Sequence, residues 1–251
     1  MLPHPTLEKL TTLKFTGMVK ALTEQMTLPD IEQLSFEERL GLLVDRELTE
    51  RHDRRLQSRL RNARLKQQAC IEDIDYRHRR GLDKSLLTRL SSCQWLKEKL
   101  NILITGPTGV GKTWLACALA QKACREGYTV LYLRLPRLLQ ELPIAKGDGS
   151  YPKRMAALAK TDVVVLDDWG LAKLIPEQQR DLLEILEDRH GTHSTLVTSQ
   201  LPVDKWHDII GDPTLADAIL DRLIHNAYKI NLKGESMRKQ KTRLTTTTES
   251  E

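Results

Sequence analysis

Aromatic side chains are scarce: two Phe, five Tyr and four Trp make up 4% of the 251 residues. None lies in the most basic stretch, 54–66, which excludes a platform there that stacks single-stranded bases on rings. Runs of 18 consecutive apolar residues are missing, so no membrane-spanning helix is expected. The start, Met1-Leu2-Pro3-His4-Pro5, lacks a basic-then-apolar leader, and the chain is expected to stay in the cytoplasm. Cys70, Cys93, Cys117 and Cys124 form no C-x-x-C pair and read as reduced thiols. His190 and His193 stand three apart with no further ligand beside them, which does not make a zinc site.

What is present is a soluble composition, 40% hydrophobic and 29% charged, with a net charge of +5 and a pI near 9.0. The length suits one α/β core with a small appendage. Residues 1–69 read as a helical N-terminal domain. Thr6 is placed as the cap of a helix carrying Leu7, Leu10, Leu13 and Met18, which Pro29-Asp30 interrupts. With Leu22 these residues form either a small helical core or an exposed groove for a partner. Ser35-Phe36-Glu37-Glu38 fits a capping box with Ser35 as N-cap and Glu38 as N3. Helical spacing then continues through Leu40, Leu43, Leu48, Leu56 and Leu60, with no glycine or proline between Gly41 and Gly81. Ile71-Glu72-Asp73-Ile74-Asp75-Tyr76 reads as a connector, so the boundary is set at 69/70 and a nucleotide-binding domain over 70–244. The polar end, 245–251, reads as a disordered tail.

From residue 100 the pattern alternates. Short apolar runs at 101–105, 129–133, 163–166, 195–198 and 227–230 predict strands, and 114–125, 176–188 and 213–225 predict helices. Strand–helix alternation implies a parallel sheet covered on both faces.

Gly106-Pro107-Thr108-Gly109-Val110-Gly111-Lys112-Thr113 satisfies G-x-x-x-x-G-K-[ST] in full, after a strand and before a helix. The glycines let the backbone curl its N–H groups toward phosphate oxygens at a helix N-terminus. Lys112 is then expected to reach the β- and γ-phosphates of ATP and the Thr113 hydroxyl to ligate Mg2+. Val163-Val164-Val165-Leu166-Asp167-Asp168 is the matching strand. Asp167 emerges at its C-terminal end, where ligands bind in such sheets, and is expected to hold magnesium through water. Asp168 is expected to orient the attacking water. Thr198-Ser199-Gln200 ends the next strand, and Ser199 is the candidate to touch the γ-phosphate or that water. Arg222, in Asp221-Arg222-Leu223, is the candidate arginine finger offered to a neighbouring subunit.

Taken in order, the P-loop, Val-Val-Val-Leu-Asp-Asp, Thr-Ser-Gln and Asp-Arg-Leu resemble the AAA+ ATPases. More closely, the chain is similar to the IstB transposition helpers, relatives of the DnaC helicase loaders. The likeness spans most of the chain, including the 71–75 connector and the narrower Thr198-Ser199-Gln200-Leu201-Pro202-Val203-Asp204-Lys205-Trp206. The resemblance implies an ATP-dependent DNA-binding helper of an insertion sequence that self-assembles on target DNA, hydrolyses ATP and engages the transposase. Lys112, Thr113, Asp167, Asp168 and Arg222 match the family motifs by position. Two departures matter. Asp168 stands where AAA+ proteins carry glutamate, one methylene longer, so slow, DNA-stimulated turnover is expected. Little chain follows Ile230, so the helical lid is expected to be reduced or absent; Arg238 is a candidate second sensor.

Arg54, Arg55, Arg59, Arg61, Arg64 and Lys66 fall in a stretch without an acidic residue, on a helix whose apolar face is Leu56, Leu60 and Ala63. Such a helix either is a solvated face or lies along duplex phosphates and binds with strong salt dependence. Arg77, Arg79 and Arg80 extend it. A second group comprises Lys229, Lys233, Arg238, Lys239, Lys241 and Arg243. Two other readings stay open: a replicative helicase loader, which shares the core, and a P-loop small-molecule kinase, which leaves the basic clusters unexplained.

Overall fold

The structure is a computed structural model and describes residues 5–77 and 80–237. Arg79, Arg238, Lys239, Lys241, Arg243 and the 245–251 tail lie outside the described residues. The chain separates into two compact units, Met1–Ser58 and Arg59–Glu251. The sequence places the boundary at 69/70, where composition changes. The division instead falls inside a long helix, because the last turns of that helix already pack within the second unit.

The first unit holds helices α1 (Pro5–Thr12) and α2 (Thr16–Gln25) and most of α3 (Phe36–Ala63). The continuous helix expected over 7–18 is broken. Thr6 lies inside α1 and does not cap it, and Lys14 takes a positive φ of 60° between the two helices. The break has a physical cause. The Glu47 carboxylate accepts from the backbone N–H groups of Gly17 at 2.6 Å and Met18 at 3.2 Å, so it satisfies a helix N-terminus that a continuous helix would not present. The crossing is tight: a Cβ on Gly17 would lie 2.5 Å from Glu47 Cα. The capping box is made as the sequence predicts, Glu38 Oε2 accepting from Ser35 N at 2.8 Å and Ser35 Oγ from Glu38 N at 3.2 Å. Leu13 is not core; it is exposed, as are Phe36, Leu40, Val44 and Leu48 on α3.

The second unit is a five-stranded parallel sheet with helices on its faces. Its strands are β1 (Asn101–Thr105), β2 (Val130–Arg134), β3 (Val163–Trp169), β4 (Ser194–Ser199) and β5 (Ala227–Asn231), in the spatial order β2-β3-β4-β1-β5. Val163 to Leu166 are fully buried, as a central strand covered on both faces requires. The covering helices are α4 (Lys84–Ser91), α5 (Gln94–Lys97), α6 (Lys112–Arg125), α7 (Leu135–Gly147), α8 (Tyr151–Lys160), α9 (Pro176–Arg189), α10 (Trp206–Ile210) and α11 (Pro213–Ile224). Among the described residues only a short irregular segment follows β5, and no helical lid is seen there. No described helix is long and apolar enough to cross a membrane.

Candidate nucleotide site

The strand order puts β1 between β4 and β5, with β3 beside β4, so the C-terminal ends of β1, β3 and β4 converge. The loop Gly106–Gly111 leaves β1 there and feeds α6, whose first residues are Lys112 and Thr113. Two of its glycines are demanded by space as well as by φ. Gly106 (φ 143°) would bring a Cβ to 2.2 Å from the Leu232 carbonyl oxygen. Gly109 (φ 87°) would bring one to 2.1 Å from Ser236 Oγ. The segment after β5 therefore lies against the loop, and Met237 N donates to the Gly109 carbonyl at 3.0 Å. An open cavity of about 260 Å³ borders the start of the loop, lined by Thr105, Gly106, Pro107, Gln200, Pro202 and Asn231.

The buried Lys112 ammonium donates to the carbonyls of Gly106 at 2.6 Å and Pro107 at 2.7 Å, inside the loop's curve. Asp167 is fully buried at the end of β3. Thr113 Oγ1 stands 3.0 and 3.1 Å from its two carboxylate oxygens. Thr198 donates to one of these oxygens and Tyr132 to the other, both through short hydrogen bonds. Burial and the neighbouring carboxylate keep the Tyr132 phenol protonated, its pKa pushed far above the usual tyrosine value. A carboxylate and a threonine hydroxyl in contact form an all-oxygen donor pair that fits a hard divalent cation such as magnesium.

Asp168 follows at a β-bulge between Leu166 and Trp169 and takes a φ of 65°, uncommon for a residue with a side chain. The bulge turns its carboxylate away from Asp167 and toward β2, where Oδ2 accepts from Arg134 Nε at 2.8 Å. Its backbone N donates to Thr198 Oγ1 at 3.3 Å.

The Ser199 side chain is not at this cluster, although the residue's carbonyl accepts from Gly106 N at 3.2 Å. Its hydroxyl donates to the Trp169 carbonyl at 2.9 Å and accepts from Leu201 N at 3.1 Å, fully buried, so it braces the bulge and is turned away from the loop. Alternation along β4 gives the site its neighbours instead: Thr198 on Asp167, and Gln200, whose Oε1 accepts from Thr108 Oγ1 at 2.8 Å. The Thr198–Trp206 stretch holds the same corner. Trp206 stacks on Trp169 with ring centroids 5.0 Å apart and donates to the Leu201 carbonyl at 3.1 Å.

Arg222 lies at the other edge of the sheet. Asn101, which opens β1, donates to the Arg222 carbonyl at 3.0 Å, while the site sits beyond the strand's far end at Thr105. The Arg222 guanidinium pairs with Glu187 of α9 and donates to the Ala218 carbonyl at 2.8 Å.

The basic row divides. Arg55, Arg61 and Arg64 are exposed. Arg54 donates to Thr16 Oγ1, and Arg59 donates to the Cys124 carbonyl at 2.8 Å. Lys66 brings its ammonium to 3.8 Å from Asp167 Oδ2. Arg80 does not extend the row: it is buried, donating to the Val110 carbonyl at 3.3 Å and the Asp75 carbonyl at 3.2 Å, which ties the 71–76 connector to the loop. Arg77 pairs with Asp75 at 2.9 Å. Sequence reasoning missed Tyr132, Thr198, Arg80 and the siting of Lys66. Only Thr198 left a trace, as the alternate position on a predicted strand.

A curled glycine loop, its lysine, a hydroxyl–carboxylate pair and a five-stranded parallel sheet together define a P-loop nucleotide-binding protein with an AAA+ core. Solved structures share this fold: DnaI, with a TM-score of 0.57 at 22% identity over 66% of this chain and 91% of that one, and the DnaC helicase loader, with 0.55 at 18% over 66% and 97%. The particular family follows from the sequence. The chain belongs to the IstB-like ATP-binding proteins, which it matches over residues 8–245. It is 54% identical to an insertion-sequence ATP-binding protein of Sinorhizobium fredii over 97% of this chain and 99% of that one. It is 34% identical to the IS21 ATP-binding protein of Pseudomonas aeruginosa over 88% and 82%.

Proposed function

We propose that this protein binds ATP with magnesium, hydrolyses it while assembled in several copies on duplex DNA, and serves a transposase as the helper of an insertion sequence. The observation that carries the reading is the contact of the Thr113 hydroxyl with the buried Asp167 carboxylate beside Lys112 at the mouth of the loop. The names of the relatives, insertion-sequence ATP-binding proteins, support the setting.

The loop's main-chain amides would bind the phosphates, and Lys112 would turn its ammonium from the Gly106 and Pro107 carbonyls to the β- and γ-phosphates. Thr113 and Asp167 would hold magnesium, which supplies positive charge against the phosphate oxygens. Thr198 fixes the Asp167 carboxylate. Asp168, aimed by the bulge, would orient the attacking water once it leaves Arg134. Ser199 acts through the bulge, as a positioning residue. Arg222 is proposed to serve a neighbouring copy's site, because its own lies at the opposite edge of the sheet. The exposed Arg55, Arg61 and Arg64 are the proposed phosphate contacts on duplex DNA.

ATP hydrolysis measured with and without duplex DNA across a salt series tests the reading. Stimulation that fades with salt is expected. Phosphoryl transfer to an added metabolite without a DNA effect would establish the kinase instead. Arg222→Ala should retain ATP binding and lose turnover; turnover at the wild-type rate removes the finger assignment.

A further inference from the structure

Lys66 reads in sequence as one more cation of the basic row, yet its ammonium stands at the carboxylate of the candidate magnesium site. Helix α3 ends at Ala63, and Arg64 turns the chain with a φ of 52°. The segment that follows is fastened to α6, the helix that starts at Lys112. Ala63 and Ala69 are buried, and Arg59, one turn earlier, donates to the Cys124 carbonyl of α6 at 2.8 Å. Anchored in this way, Lys66 reaches within 3.8 Å of Asp167 Oδ2, the one ion pair Asp167 makes among the described residues. The carboxylate is fully buried, while the lysine side chain is 40% exposed.

This asymmetry has a chemical consequence. Asp167 cannot leave, because Thr113, Thr198 and Tyr132 hold both of its oxygens. Lysine can, because a compact ammonium on a flexible, solvent-facing stem hydrates readily. A divalent ion between Thr113 and Asp167 would face the ammonium across one carboxylate, and like charges repel.

We propose that Lys66 is a built-in counter-cation of Asp167 that the magnesium–nucleotide complex displaces, so that nucleotide state is reported to the 64–69 segment. The proposal rests on the reading of Asp167 as a magnesium-holding residue. It concerns which group competes for that carboxylate, and goes beyond how ATP is bound or cleaved.

Amine labelling of the full chain tests it. Lys66 reactivity toward an acetylating ester, read by peptide mass spectrometry, is compared without additions, with magnesium alone, with a non-hydrolysable ATP analogue in EDTA, and with analogue plus magnesium. Labelling of Lys66 is expected to rise severalfold only in the last condition; equal labelling in all four overturns the proposal. A second measurement uses Lys66→Met in calorimetric binding of the analogue. The magnesium concentration for half-maximal binding should fall roughly two- to fivefold, the range a part-exposed ion pair commands, and Lys66→Arg should stay near wild type. An unchanged midpoint in Lys66→Met overturns the proposal. Failure of the wild-type chain to bind the analogue at all would instead remove the nucleotide reading, and this proposal with it. Binding with a flat Lys66 response removes this proposal alone.

Discussion

Glu47 in the N-terminal unit and Asp167 in the sheet unit are both buried carboxylates at junctions of elements, and the two are held differently. Glu47 in the N-terminal unit accepts from two backbone N–H groups at a helix start and from Arg51 Nε at 2.6 Å. Those amides are fixed by the backbone, so the glutamate is fully committed to architecture. Asp167 in the sheet unit accepts from hydroxyls, on Thr113, Thr198 and Tyr132, with the part-exposed Lys66 ammonium at 3.8 Å. Hydroxyls rotate and can donate or accept, so the same carboxylate can be shared with an incoming cation without leaving a buried group unpaired. On the proposed function, the amide-held carboxylate is structural and the hydroxyl-held one receives a cation. Burial alone does not separate these roles, but the donors do.

The sharpest way to break the comparison is to neutralise each in turn. Asp167→Asn should lower ATP turnover by roughly 100-fold or more, measured by phosphate release, while the thermal midpoint of the sheet unit moves little, because the amide Oδ1 still accepts from one buried hydroxyl and its NH2 donates to the other, which turns to accept. A large drop in that midpoint with turnover intact would reverse the assignment. Glu47→Ala should do the opposite. It leaves two helix-start N–H groups and Arg51 without their acceptor, a loss of about 2–3 kcal/mol, read by urea unfolding of the N-terminal helices. Affinity for the ATP analogue should be unchanged.

Acid sharpens the same point. Burial is the strongest single influence on Glu47 and opposes its charge, but Arg51 and the Met18 and Gly17 amides together outweigh it and hold the carboxyl below its ordinary value. A depressed value in the folded state means the carboxylate's stabilisation is complete above the ordinary glutamate range and disappears as pH falls through the depressed one. The stability difference between wild type and Glu47→Gln should therefore be constant near neutrality and shrink in acid. Glu50 is shifted the same way by Lys20, but it is common to both proteins and cancels. A difference that persists unchanged into strong acid would show that the carboxylate's charge is not what stabilises the junction.

At the site itself the expected contrast is between neighbours on β4. Thr198→Ala removes a donor to Asp167 and should cost turnover about tenfold, whereas Ser199→Ala should cost less and act through stability, since its hydroxyl spans Trp169 and Leu201. Equal losses in turnover with no change in unfolding would return Ser199 to the reaction.

That pair also shows what the sequence could reveal. The parallel sheet, the loop at 106–113 and Asp167 were legible because each depends on local pattern: apolar runs, glycine spacing, a carboxylate ending a strand. The capping box at Ser35 was legible for the same reason. Which of Thr198, Ser199 and Gln200 faces Asp167 and the glycine loop was not, because strand alternation gives two opposite faces without saying which is which, and the bulge after Leu166 shifts the pairing. Lys66 and Arg80 were hidden more deeply. Both sit in basic stretches, where charge alone points to solvent or phosphate, and only the fold brings one to Asp167 and the other beneath Val110. The break at Lys14 was masked by leucine spacing that continues across it, and its cause, Glu47, lies on another helix.

The smallest predicted effect tests whether legibility tracks energy. Ser35 and Glu38 make the most recognisable local motif in the N-terminal unit, yet both are exposed and water competes for their hydrogen bonds. Ser35→Ala should cost about 1 kcal/mol, well under the expected loss for Glu47→Ala, whose carboxylate no sequence motif announces. The same urea unfolding series measures both. If Ser35→Ala proved the more damaging, the first turn of α3 would hold the N-terminal unit together and Glu47 would be its accessory. The expected order places the weight on the buried carboxylate, because replacing an exposed cap lets water take the freed N–H, while removing Glu47 leaves the Gly17 amide under a helix crossing where a Cβ has no room.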